Sequence, residues 1–198
     1  MKPFIFLRIP RTASLSLHDA FAGLPNYNSL ILDGRTSKSK YDTVTQAVDI
    51  STYTNSNEWK SSYIFSCVRN PFDRAVSIFH HNSWSSVGNF QEFCRLLSDN
   101  NYPSITAEQH AYPQTKILLK DGGILANYVL RFENLKSDFE TLCSHIKLFN
   151  IKLPHRSNSI NRSRQRKHYS EYYNNETREI VAEKYAKDIE YFGYEFAE

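Results

Sequence analysis

Residues 4–17 read FIFLRIPRTASLSL, and this stretch decides the fold. Phe4, Ile5, Phe6, Leu7 and Ile9 form a short apolar run of aromatic and branched side chains, the pattern of a strand buried in a parallel sheet. Pro10 lacks an N–H for the ladder and ends the strand. Arg11, Thr12, Ser14 and Ser16 follow, and Leu15, Leu17, Ala20 and Phe21 then recur at helical spacing. A strand feeding a helix N-terminus leaves the first backbone N–H groups unbonded and aims the positive end of the helix dipole at the turn. Such a turn suits a phosphate or a sulfate ester. Ordinary helix capping accounts for the hydroxyls equally well. The loop has no glycine, so the G-x-x-x-x-G-K-[ST] pattern of nucleotide triphosphatases is absent.

A second strand candidate, Tyr63–Val68 (YIFSCV), is followed at once by RNPFDRAVSIFHH. Pro71 suits the first helical turn and Asn70 its cap. Phe72, Ala75, Val76 and Phe79 repeat at i, i+3, i+4, i+7 and give one buried face. Arg69 therefore stands at the carboxyl end of a strand, the edge where open α/β sheets bind ligands. With Ser77 about two turns on, it could clamp a phosphate monoester. The competing reading pairs Arg69 with a structural carboxylate and makes Ser77 a packing residue.

The chain has 198 residues, enough for one domain spanning 1–198, and no linker, repeat or low-complexity segment divides it. A net charge of +3 is too small to argue for nucleic acid. Its distribution is more telling. Residues 1–18 and 141–170 contain no acid, and the second stretch carries seven Lys and Arg, from Lys147 to Lys167. Two acid-free zones could converge on one polyanionic small ligand, although a solvated basic loop gives the same letters. Three scattered cysteines support neither a disulfide framework nor a zinc site. With no long apolar run, the expectation is a soluble cytoplasmic protein without a membrane span.

Further along, Ser29–Leu32 and Tyr128–Phe132 read as strands, and Phe90–Ser98 and Leu135 to about Leu148 as helices. Gly122-Gly123 reads as a tight turn, and Glu171–Tyr191 as one last helix striped by Val181, Tyr185 and Ile189. Residues 41–59 are weakly patterned. Strands and helices alternate, so a three-layer α/β architecture is expected, a mainly parallel sheet flanked by helices.

Two segments together carry a resemblance. IPRTASLSL is similar to the I-P-K-T-[AG]-[GS]-T-S-L loop of sulfotransferases that use 3′-phosphoadenosine 5′-phosphosulfate (PAPS), and CVRNPFDRAVSIF to their V-R-[DN]-P-[FW]-x-R-x-[VL]-S segment. Three weaker echoes follow in family order: His110…Pro113-Gln114 for H-x-x-P-Q, RFENLKSDF for [YF]-E-x-L-x-x-D-[FL], and DIEYFGYEF for the D-x-x-x-F-G-Y tail of the carbohydrate 2-O-sulfotransferase-like branch. The resemblance implies a fold related to P-loop kinases. It also implies PAPS as donor, 3′,5′-adenosine bisphosphate as product, no metal, and a hydroxyl acceptor, in that branch on a carbohydrate.

Carried over by position, the resemblance gives Thr12, Ala13, Ser14, Leu15 and Ser16 to the 5′-phosphosulfate, through backbone N–H groups and the Thr12 and Ser16 hydroxyls. Arg11 would neutralise charge on the leaving phosphate, and Arg69 and Ser77 would hold the 3′-phosphate. Arg162, Ser163, Arg164 and Arg166 would fold over the nucleotide. Two departures stand out. Arg11 replaces the usual lysine, and Gly34-Arg35 stands where many relatives carry Gly-His, whose His serves some of them as general base. Arginine cannot take a proton near neutral pH. His110 is then the first alternative base, followed by His80, His81 and Glu133. Two rivals remain open: a catalytically silent PAPS-binding relative, and a small-molecule kinase sharing the fold, against which the missing phosphate-loop lysine and the Arg69 segment speak.

Overall fold

The computed structural model describes residues 2–31, 45–47, 53–154 and 167–197. In chain order the elements are β1 (Phe4–Arg8), α1 (Ser14–Phe21), β2 (Tyr27–Ile31), β3 (Thr45–Ala47), α2 (Asn57–Ser61), β4 (Tyr63–Val68), α3 (Pro71–Phe79), α4 (Phe90–Ser98), α5 (Ile105–Ala111), α6 (Gln114–Leu118), β5 (Leu119–Lys120), β6 (Gly123–Ile124), β7 (Tyr128–Arg131), α7 (Leu135–His145), α8 (Asn175–Lys184) and α9 (Ala186–Phe192). Short 3₁₀ turns lie at Asn82–Trp84, Phe132–Asn134 and Tyr169–Tyr172. The chain forms two compact units, each built from two stretches: Met1–Val68 with Ile117–Arg156, and Arg69–Lys116 with Ser157–Glu198.

The first unit holds a five-stranded sheet in the order β3-β2-β1-β4-β7, every neighbouring pair parallel. β1 is central because its whole run can be buried: all five residues are, with Phe4, Phe6 and Leu7 fully inaccessible. The pleat divides them. Phe4 and Phe6 join Leu17 and Phe21 of α1, Phe65 and Cys67 of β4, and Phe139 and Leu142 of α7 in one apolar cluster. Phe6 stacks on Phe65 at 4.8 Å, and Phe4 meets Phe21 edge-on at 5.4 Å. Ile5 and Leu7 on the opposite pleat are buried as well, as a strand covered on both faces requires. Each buried phenylalanine contributes about 1.5–3 kcal/mol. A buried polar group in this unit, His18 Nδ1, lies 3.1 Å from both Tyr27 OH and Ser29 Oγ. β5 and β6 form a separate antiparallel hairpin around left-handed Asp121 and Gly122, a tight turn one residue earlier than the expected Gly122-Gly123, since Gly123 pairs in β6.

The second unit packs α3, α4 and α8 around Phe72, Val76, Trp84, Phe90, Phe93, Leu97, Val181 and Tyr185. α3 begins as anticipated, with Pro71 in its first turn and the Asn70 side chain accepting from Phe72 N–H at 3.0 Å.

The single helix expected over 171–191 is two helices. Tyr185 breaks it at φ −114°, ψ 24°; its hydroxyl donates to the Ala111 carbonyl at 3.0 Å, and it is 1% exposed. Asp188, on α9 beyond the break, is fully buried. α7 ends at His145, about three residues short of the expected end. β3 and α2 fall in the stretch whose pattern gave no assignment.

Candidate active site

The chain leaves β1 through Ile9 and Pro10 and bends sharply before α1. Arg11 has φ 68° and Ala13 φ 60°, both left-handed, while Thr12 between them does not. Successive residues of alternating hand turn their N–H groups toward one side, making a concave anion-binding nest. Glycine usually supplies left-handed backbone; here an arginine and an alanine do. Thr12 braces the bend, its hydroxyl donating to the Ile9 carbonyl at 2.9 Å from a fully buried side chain.

The N-cap of α1 is Ala13, which has no side chain to cap with, and the first turn carries no acid. The helix's own bonding starts with Leu17 N–H to the Ala13 carbonyl at 3.1 Å. Ser14 and Ser16 are half-buried, and Leu15 is 45% exposed. The hydroxyls of this turn are therefore not the side-chain cap of α1.

β1 and β4 are paired in parallel, so their carboxyl ends stand side by side within the sheet. Pro10 lies two residues beyond the first, and Arg69 is bonded directly to Val68, the last residue of the second.

In the second unit Arg69 is 8% exposed and is held by Asp73 and Gln114. Its Nε donates to Asp73 Oδ2 at 2.7 Å, its N–H donates to Gln114 Oε1 at 2.9 Å, and its carbonyl accepts from Gln114 Nε2 at 2.9 Å. Arg69 thus does have a carboxylate partner, one turn along α3, which orients the guanidinium. Ser77 is buried on the same helix, 1% exposed.

The weaker sequence echoes acquire physical meaning here. Gln114, from the H-x-x-P-Q element, clamps the Arg69 peptide. Asp188, the aspartate of D-x-x-x-F-G-Y, fixes Gln114 in turn: its carboxylate accepts from Gln114 N–H (2.7 Å), Thr115 N–H (2.8 Å) and Thr115 Oγ1 (2.7 Å). Asp138, from the E-x-L-x-x-D segment, accepts from Arg131 N–H at 2.7 Å. Arg74, fully buried, donates to the Tyr112 and His110 carbonyls at 3.0 and 2.9 Å. Burial pulls its pKa below the ordinary arginine value; the Tyr185 and Asp188 fields oppose that. Sequence reasoning does not reach Asp73, Arg74, Gln114 and Asp188 one by one; the motif letters are the signal for the last three, and Asp73 falls at an unspecified position.

His110 sits edge-on to His81, ring centres 4.2 Å apart. His81 Nδ1 accepts from Ser83 N–H at 3.2 Å and lies 2.8 Å from Ser83 Oγ, so the hydroxyl proton points to His81. His110 Nδ1 lies 3.5 Å from the same oxygen. His80 Nε2 lies 3.0 Å from Tyr172 OH, and Glu133 is exposed on the Phe132–Asn134 turn. Arg162, Ser163, Arg164, Arg166 and the Gly34-Arg35 pair lie outside the described residues.

The sulfotransferase family model matches residues 2–195. The chain belongs to the sulfotransferase family. It is therefore a sulfotransferase enzyme with an α/β fold, and the family implies PAPS as sulfate donor. No curated protein and no solved structure gave a significant match. Among the described residues of this sulfotransferase, no helix is long and apolar enough to cross a membrane.

Proposed function

We propose that this sulfotransferase moves the sulfuryl group of PAPS to a hydroxyl of a carbohydrate. The observation that carries the donor half is the bend at residues 11–13, two left-handed residues ahead of a helix with no capping side chain. Backbone N–H groups of Thr12 to Ser16 bind the 5′-phosphosulfate end. Arg69, oriented by Asp73 and Gln114, binds the 3′-phosphate with Ser77 beside it. Arg162, Ser163, Arg164 and Arg166 are assigned to the same nucleotide by their sequence position. The carbohydrate half rests on the likeness of the ending Asp188–Phe196 to the carbohydrate 2-O-sulfotransferase-like branch.

In the reaction the acceptor oxygen bonds to sulfur as the bond from sulfur to the 5′-phosphate oxygen breaks. The electron pair stays on that oxygen, where Arg11 offsets the growing charge. The acceptor proton passes to a base, the role assigned here to His110. Holding both reactants in line supplies much of the rate.

The test is calorimetric titration of 3′,5′-adenosine bisphosphate, alongside turnover with labelled PAPS and a panel of saccharides. Arg69→Ala should weaken the nucleotide at least tenfold. Arg11→Ala should keep nucleotide affinity within a few-fold and lose about 100-fold or more in turnover, the scale of removing one transition-state donor. A wild-type protein that does not bind the bisphosphate overturns the proposal.

A further inference from the structure

None of the roles above uses the segment after α9, which runs back onto the start of α3 within the second unit. Gly193, left-handed at φ 64°, closes α9 and turns the chain, with Tyr194 N–H donating to the Ile189 carbonyl at 3.0 Å. Phe196 then meets three aromatic rings edge-on: Phe72 at 5.0 Å, Tyr173 at 5.2 Å and Tyr169 at 5.6 Å. The Arg178 guanidinium sits 4.6 Å over the Phe196 ring. The backbone on either side of Phe196 is bonded as well. The Glu195 carbonyl accepts from Asn70 Nδ2 at 2.8 Å, and Ala197 N–H donates to the Tyr169 hydroxyl at 2.8 Å.

These contacts land on the first turn of α3. Asn70 uses both ends of its amide there: Oδ1 accepts from Phe72 N–H at 3.0 Å as the helix cap, and Nδ2 reaches Glu195. Each bond fixes the amide orientation that the other needs. The Phe72 carbonyl accepts from the Tyr173 hydroxyl at 2.8 Å, and the Phe72 ring is 3% exposed. Arg69 is the residue before Asn70, and its carboxylate partner Asp73 stands on the same turn. Gln114 fixes the Arg69 peptide, and the segment 195–197 fixes the turn that follows it. That segment buries little for itself: Phe196 is half-buried, and Glu195 and Ala197 are exposed. Its contacts therefore matter more for where α3 begins than for the mass of the core. A displacement of about 1 Å in a positioned site can cost about 100-fold.

We propose that Phe196 is a positioning residue for the 3′-phosphate: through Phe72, and with Glu195 through Asn70, it sets the first turn of α3 and so the place of the Arg69 guanidinium. This rests on the reading of Arg69 given above and adds the element that holds it in register. The probes are 3′,5′-adenosine bisphosphate and adenosine 5′-monophosphate, which lacks the 3′-phosphate. Both are titrated calorimetrically into wild type, Arg69→Ala, Phe196→Ala, Phe196→Tyr and Asn70→Ser, with urea unfolding of each variant alongside. Phe196→Tyr keeps the ring. Asn70→Ser keeps a capping hydroxyl but is too short to reach Glu195, and it carries the test if Phe196→Ala does not fold.

Wild type should prefer the bisphosphate by about tenfold or more, the scale of one charge-assisted contact. Phe196→Ala and Asn70→Ser should each cut that preference to about threefold or less while leaving monophosphate affinity within about twofold, and Phe196→Tyr should restore it. A merely structural role would lower the urea midpoint and leave the ratio of the two affinities alone. Folded Phe196→Ala or Asn70→Ser protein with the wild-type ratio therefore overturns the positioning role, while loss of the preference in Arg69→Ala leaves the Arg69 reading standing. A preference that survives Arg69→Ala strikes the Arg69 reading itself, and this proposal with it.

Discussion

Ala13 shows how much conformational cost one residue of the donor loop carries. At φ 60° its Cβ is crowded in a way that costs an L-residue about 1–2 kcal/mol. Replacing it by glycine removes that strain but adds about 0.4–1 kcal/mol of unfolded-chain entropy. The relieved strain outweighs the added entropy, so Ala13→Gly should stabilise the protein by about 0.5–1 kcal/mol, read as a higher urea midpoint at unchanged slope. A β-branched residue there, Ala13→Val, should lower the midpoint. The bend between β1 and α1 was legible in the letters as strand, Pro10, cation and hydroxyls. Its geometry was not, because left-handed backbone is usually announced by glycines and this bend takes it at Arg11 and Ala13. Nor did the letters show that the Thr12 hydroxyl turns inward to Ile9.

Among elements, the decisive join is between the start of α6 and α9. Gln114 and Asp188 are both fully buried, and each satisfies backbone groups that would otherwise be stranded. Gln114→Leu keeps the volume but leaves the Arg69 N–H and carbonyl unpaired, at about 1–3 kcal/mol for each. A loss of about 2–4 kcal/mol in urea unfolding is expected, with bisphosphate affinity falling about tenfold as the Arg69 peptide loosens. Asp188→Ala removes three bonds to a charged acceptor and should cost about 3 kcal/mol or more, with tryptic cleavage after Lys116 as a local readout. Periodicity gave β4 and α4 to the residue and the start of α3, since each is either continuously apolar or cleanly one-faced. It misread 171–191, because Val181, Tyr185 and Ile189 keep helical spacing across a break that the Tyr185 hydroxyl imposes from 74 residues away. β3, three residues of Thr-Gln-Ala, has no apolar signal to read.

For the whole molecule, buried acids of high pKa set the alkaline limit. Burial pushes the Cys94 thiol from about 9 up to about 12 and Cys143 up to about 11, and it raises Tyr173 and Tyr185 well above the ordinary phenol value. Each group holds its proton more tightly folded than unfolded. Stability should be level below pH 9 and fall as pH rises from 9 toward 12, by up to about 1.4 kcal/mol per pH unit for each such group. Urea midpoints at pH 8 and pH 10 check this, and Cys94→Ala should flatten the dependence even though it lowers the midpoint itself.

The α/β class and central β1 were legible at this scale because both faces of that strand are apolar. The interleaving of the two units was not, since no composition shift marks residues 68, 116 or 156. That interleaving matters during synthesis. β4 leaves the ribosome with one side paired to β1, but its other neighbour, β7, begins at Tyr128. Until all of residues 69–131 have been translated, the nascent sheet keeps an open hydrogen-bonding margin that only a later part of the same polypeptide can close.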